Sequence, residues 1–162
     1  MVNINGEELV TNYISHRLKS GIIIGFEFIK EKNVIGFSNS AFRAELIPEK
    51  LSIPQDVAVV DWFFYTLLLH AGHKAVFSNE MITYYRQYSD NMIGINNETL
   101  DNYKKKLALK AMHYRYLSSS FTEFEELAKK YSKEKNLTDI QVSTLLQNNK
   151  ITYPLWWENI KI

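Results

Sequence analysis

Apolar positions recur along this chain at two different spacings, and the character of the pattern changes near residue 95. Residues 6–20 place Leu9, Tyr13, Ile14 and Leu18 at helical intervals, and Gly21 stops the helix they predict. Residues 22–29 are β-branched and aromatic, which predicts a strand. A turn over 30–33, a second short strand over 34–37 and a short helix over 38–47, capped by Ser or Asn, follow. A loop between Pro48 and Pro54 leads to a longer helix. That helix is capped by Asp56 or the residues just before it, runs to about His70 and is ended by Ala71 and Gly72. Strands are expected over 74–77 and 81–85, then an Asn-rich loop over 89–97.

Beyond Glu98, Leu100, Tyr103, Leu107, Ala111, Tyr114 and Leu117 recur at three and four, the mark of an amphipathic helix. Phe121, Phe124, Leu127, Ala128 and Tyr131 predict a second helix. Leu137, Ile140 and Leu145 predict a third, with Thr138 or Asp139 near its start. The chain closes on an aromatic tail, 152–162. The expected class is α/β with an α+β-like character, in two parts: a mixed segment over 1–95 and an all-helical extension over 96–162. The strands are too few and too irregular for a complete doubly wound sheet.

With 162 residues, the chain is about one ordinary domain and can bury a real core. Its 46% apolar and 23% charged residues match a globular protein. A net charge of +1 offers no electrostatic argument for nucleic acid or an anionic membrane. The absence of cysteine removes disulfides, zinc–thiolate sites and thiol nucleophiles, and fits a reducing cytosol. The start carries no signal-peptide pattern, and no run of about 18 apolar residues exists to span a membrane.

Phosphate-loop, GxSxG, HExxH, EF-hand and Asp-x-Asp motifs are all absent. Attention falls instead on residues 56–94, where a lone acid, Asp61, interrupts an apolar helical run. Val57, Val60, Phe64, Leu67 and Leu68 define an apolar side, and Asp61 borders it. A carboxylate there is either a general base whose pKa partial burial lifts or a surface acid favoured by the helix dipole. Periodicity alone favours the second. Arg86, Gln87, Asp90 and Asn91 then form a polar cluster, suited to phosphate and sugar hydroxyls or simply to a self-satisfied loop. The four histidines, His16, His70, His73 and His113, show no metal-ligand spacing, and His70 fits a helix-end role. Lys104–Lys106, Lys110 and Arg115 read as a solvated helix face, and Trp156–Trp157 as packing of the tail onto the body.

Taken in order, Asp61–Trp62, the Leu-rich helix, Ala71-Gly72-x-Lys74-Ala75, a strand, Tyr84-Tyr85-Arg86-Gln87 and Asn91-x-x-Gly94 resemble the C-terminal half of family-2 glycosyltransferases. These are mostly bacterial enzymes that build surface polysaccharides. The segment 33–43 resembles their strand, small polar turn and Phe-Arg before the acceptor helix. The resemblance covers roughly residues 20–95.

It implies part of an A-type nucleotide-sugar fold. Asp61 takes the position of the catalytic base. Ser38, Asn39, Ser40, Arg43 and Trp62 fall on the acceptor side, and Tyr85, Arg86, Gln87 and Asn91 on the diphosphate or substrate side. The implied reaction is inverting transfer from a nucleotide-sugar to a glycan hydroxyl. Asp61 would remove the hydroxyl proton, Mg²⁺ or Mn²⁺ would stabilise the leaving diphosphate, and Arg86 would help neutralise it. The family's Asp-x-Asp metal motif and nucleotide-binding half have no counterpart in these residues. Phe63 stands where many relatives have a second acid, and Tyr88 where many have His. The expectation is therefore a chain of low activity alone, carrying no metal of its own and paired with a missing N-terminal half or with a second copy. The expected location is cytoplasmic, with room for peripheral contact at the inner face of the membrane. The alternatives are a non-catalytic glycan- or protein-binding module and a helical interaction domain that only resembles a transferase.

Overall fold

The structure, a computed structural model, describes residues 1–88, 91, 98–149 and 151–158. Its described elements are β1 (Ile23–Ile24), α1 (Phe26–Ile29), α2 (Val60–His70), β2 (Ala75–Val76), α3 (Leu100–Ser118), α4 (Glu125–Glu134) and α5 (Asp139–Asn148), with short 3₁₀ turns between them. The class is mixed, helices around one small antiparallel sheet.

Helix α2 is the centre of the fold because it is apolar almost all round. Trp62, Phe63, Phe64, Tyr65, Thr66, Leu68 and Leu69 are all buried, and a helix without a polar face must be covered on every side. Gly72 ends it with φ 94. The Gly72 amide donates to Leu69 O and the His73 amide to Leu68 O, the paired bonds of a Schellman motif. A left-handed position here suits glycine, which has no Cβ to clash. The turn sends the chain back as β2, which pairs with β1 in the register Ile23↔Val76 and Ile24↔Ala75. Ile24 points into the core and Ile23 outward.

The first half departs from the periodic reading where side chains compete with the backbone. Over 6–20 only Tyr13–His16 forms a 3₁₀ turn. Upstream, Asn3 Oδ1 accepts from the amides of Asn5 and Glu7, and Asn12 is left-handed; Asn side chains favour such turns over helix. The strand expected over 22–29 stops at Gly25, and Phe26–Ile29 turn helical to pack against α2. Only Ala44–Leu46 of the helix expected over 38–47 coils, as a 3₁₀ turn. Asp56 does not cap α2. Its carboxylate accepts from Tyr116 Oη instead, and Val59 stands at the N-cap without a side-chain bond. The run 81–85 joins no strand. It ends in an isolated bridge, Val2↔Arg86, where the Val2 amide donates to Tyr85 O and the Gln87 amide to Val2 O.

The second half follows its pattern closely. Thr99 caps α3, and Thr138 with Gln141 forms a capping box at α5. Helix α3 packs on α4 and α5. The lysine-rich face of α3 is largely ion-paired, Lys104 with Asp139 and Lys106 with Glu98. Lys110 is set deeper. It is buried, donates to Trp157 O and lies over the Tyr131 ring. Burial, followed by the charge of Lys106, lowers its pKa to about 7.

One core draws on both sides of residue 95. Trp62 is fully buried and donates through Nε1 to Ile29 O at 2.7 Å. It stacks on His113 at 4.0 Å and on Trp157 at 5.8 Å. Tyr114 of α3 donates to Lys30 O at 2.8 Å. Trp62→Ala is expected to destabilise the fold by about 3–5 kcal/mol, the usual cost of emptying a buried aromatic site. Urea unfolding of the pair measures it, and a loss within about 1 kcal/mol would show that Trp62 is not the hub of the core.

Candidate functional site

Asp61 is the second residue of α2 and faces a cleft of about 440 Å³. The loop 36–38, residues 58–61 at the start of α2, Tyr85, Asn91, Trp156 and Trp157 line it. Oδ1 of Asp61 accepts from the Trp62 amide at 2.6 Å, so the helix end holds one oxygen of the carboxylate. Oδ2 lies against Gly36. A Cβ placed on Gly36 would stand 3.3 Å from this oxygen, 3.1 Å from Asn39 Oδ1 and 3.1 Å from Trp156 Cζ3. Gly36 is needed here for space: three groups converge where a side chain would begin.

Burial raises the pKa of Asp61 above its ordinary 3.8, although backbone hydrogen bonds oppose the shift. The effect of desolvation therefore exceeds that of the backbone hydrogen bonds to the carboxylate. Two tyrosines are perturbed in the same direction. Tyr85 and Tyr65 are both raised, first by burial and in part by the Asp61 charge.

The polar turn is engaged in building the cleft. Asn39 Oδ1 accepts from the Gly36 amide at 2.6 Å, and its Nδ2 donates to Val34 O. Ser40 Oγ donates to Gly36 O and shares a 2.6 Å bond with Tyr65 Oη. Asn39 and Ser40 thus hold Gly36 against α2, and Phe37 and Ser38 are the exposed residues of the turn at the cleft. Arg43 is exposed and away from the lining, with a long contact to Glu45 at 3.9 Å. Trp62 points into the core, so the structure does not bring it to the cleft.

Of the downstream group, Tyr85 and Asn91 reach the cleft. Asn91 Nδ2 donates to Arg86 O at 2.9 Å, which braces the segment. Arg86 is exposed and Gln87 buried, and neither lines the cleft. Asp90 and the rest of the Asn-rich loop, 89–90 and 92–97, lie outside the described residues. Periodicity missed three contributors: Gly36, Trp156 and Trp157. The tail's two tryptophans were legible as packing residues, but nothing in their spacing pointed to Asp61.

Among the described residues, no group of three His, Asp or Glu side chains could hold a metal ion, and Asp61 is the one carboxylate in the cleft lining. A single carboxylate does not fit the oxygen-rich site that Mg²⁺ or Mn²⁺ requires. No described helix is long and apolar enough to cross a membrane. The chain matches no protein family, curated protein or solved structure in comparisons with each.

Two outcomes follow from this geometry. Asp61 binds its proton more tightly in the folded chain, so stability falls as pH rises from 3.8 to the raised value and stays lower above it. Asp61→Asn removes that loss. Its Tm is expected to exceed the parent's at pH 7 and to converge with it below the ordinary carboxylate range, as followed by thermal melts across pH. Gly36→Ala meets three groups at 3.1–3.3 Å. It is expected to cost about 1–3 kcal/mol by overpacking, readable by chemical denaturation.

Proposed function

We propose that this chain supplies the acceptor side of a sugar-transfer site, with Asp61 as the general base. The observation that supports this reading is a carboxylate of raised proton affinity facing an aromatic cleft. Enzymes tune a base upward by such partial burial, and ring surfaces such as Tyr85 and Trp156, 5.9 Å apart, suit the apolar faces of a sugar.

In the reaction proposed, the acceptor hydroxyl binds at Asp61 Oδ2 while Oδ1 stays on the Trp62 amide. Oδ2 takes the hydroxyl proton as the oxygen bonds to the anomeric carbon of a nucleotide-sugar. The bond from that carbon to the diphosphate breaks, and the nucleoside diphosphate leaves with the electron pair. The donor and its metal are held by a separate half of the site, since the cleft residues described here do not suit a metal. The partners proposed are a nucleotide-sugar and a glycan acceptor.

With that donor-binding half supplied, Asp61→Asn should lower turnover by about 10²-fold or more, the contribution of a positioned base. Acceptor affinity, read from tryptophan fluorescence, should change little. Release of nucleoside diphosphate measures the first quantity, and near-parental turnover would remove Asp61 from this role. A second reading, a glycan-binding module without catalysis, is favoured by the same ring pair beside a lone carboxylate. It predicts oligosaccharide binding that survives Asp61→Asn with no transfer in either protein.

A further inference from the structure

Residues 153–158 form a strap at the Asp61 cleft, fastened at several points. Tyr13 donates to Pro154 O at 2.8 Å, and His16 stacks on Tyr153 at 4.2 Å. Arg17 donates to Tyr153 O and makes a two-point pair with Glu158 at 2.9 and 3.0 Å. The Asn33 amide donates to Trp156 O at 2.6 Å, and Lys110 Nζ donates to Trp157 O. Two strap residues adopt left-handed backbone, Tyr153 at φ 53 and Trp157 at φ 61. Bulky side chains disfavour that region, so the surrounding bonds must hold them there.

This fastening fixes the ring of Trp156. Its neighbours Leu155 and Trp157 are buried in the core, while Trp156 Cζ3 reaches the space above Gly36 that Asp61 Oδ2 also approaches. The indole Nε1–H is buried and has no hydrogen-bond partner among the described residues. An unpaired buried donor is destabilising, so the indole is held here at some cost to stability, and its Cζ3 makes a contact that a phenyl ring is too short to make.

We propose that Trp156 is a positioning residue for Asp61: strapped onto Gly36 beside the carboxylate, its ring excludes water from that side and sets where an acceptor hydroxyl can approach Oδ2. This rests on reading Asp61 as the proton acceptor. Loss of the ring hydrates the carboxylate, and hydration restores an ordinary proton affinity.

The test is the pH titration of the Asp61 carboxyl carbon by NMR on the full chain, the signal identified by its loss in Asp61→Asn. In Trp156→Ala the midpoint is expected to fall to the ordinary carboxylate range. In Trp156→Phe, which keeps a smaller ring and loses the unpaired donor, the midpoint is expected to lie between those of the parent and Trp156→Ala. An unmoved midpoint in Trp156→Ala, with lower stability, would make Trp156 a structural residue only and overturn the proposal. An equal fall in both variants would also overturn it, since ring exclusion would then not be the cause. If Trp156→Ala does not fold, Trp156→Leu carries the same two outcomes. The titration is read without any sugar present, so a failure of ring exclusion at Trp156 and a failure of Asp61 as the base in sugar transfer are told apart.

Discussion

The burial of one indole, Trp62, organises this molecule. Its N–H bonds the carbonyl that ends α1, one face stacks on a histidine of α3, and the strap's Trp157 stacks in the same column. Four parts of the chain, far apart in sequence, meet on this side chain. An aromatic buried this completely supplies a large area of apolar contact, and its single donor is satisfied where it points. His113 accommodates the arrangement by staying neutral. Its complete burial, with the nearby Lys110 charge, lowers its pKa to about 3.

Core and cleft are coupled through the peptide bond between Trp62 and Asp61. With Trp62 held on the inside of α2, the neighbouring residue is turned toward Gly36, and the Trp62 amide takes hold of Oδ1. The carboxylate therefore inherits the rigidity of the core without being part of it. The Asn39 and Ser40 bonds and the strap do the same for the opposite walls. A site assembled this way is placed by rigid supports, and its partial dehydration follows from how closely those supports approach.

The helical second half was readable because its signals are local. Thr138 caps an amide three residues from itself, and Leu107, Ala111, Tyr114 and Leu117 mark the buried stripe of α3 at the right spacing. Lys110 was misread as solvated because its pairing partner, the Trp157 carbonyl, lies 47 residues away. In the first half the local signals conflict. Asn3, Asn39 and Ser40 bond backbone amides and carbonyls that a helix would have used, and the apolar run 22–29 breaks at Gly25 into a two-residue strand and one helical turn.

For the site, the chain's residue order was enough to single out Asp61 as an acid out of place, to put Gly72 at the end of its helix and to mark Arg86, Gln87, Asp90 and Asn91 as a polar cluster, of which Asn91 reaches the cleft. Periodicity favoured a solvated first-turn acid, and the structure corrects it to a half-buried one: α2 is apolar on nearly every face, and periodicity cannot assign a face to an isolated carboxylate. Only the tertiary structure decided that. It sent Trp62 inward, brought Gly36 from one side and Trp156 from the far end of the chain, and left Arg43 and Arg86 outside. The reason is that desolvation depends on which groups surround an oxygen in space, and two residues that line the cleft with Asp61, Gly36 and Trp156, are separated from it by 25 and 95 residues of sequence.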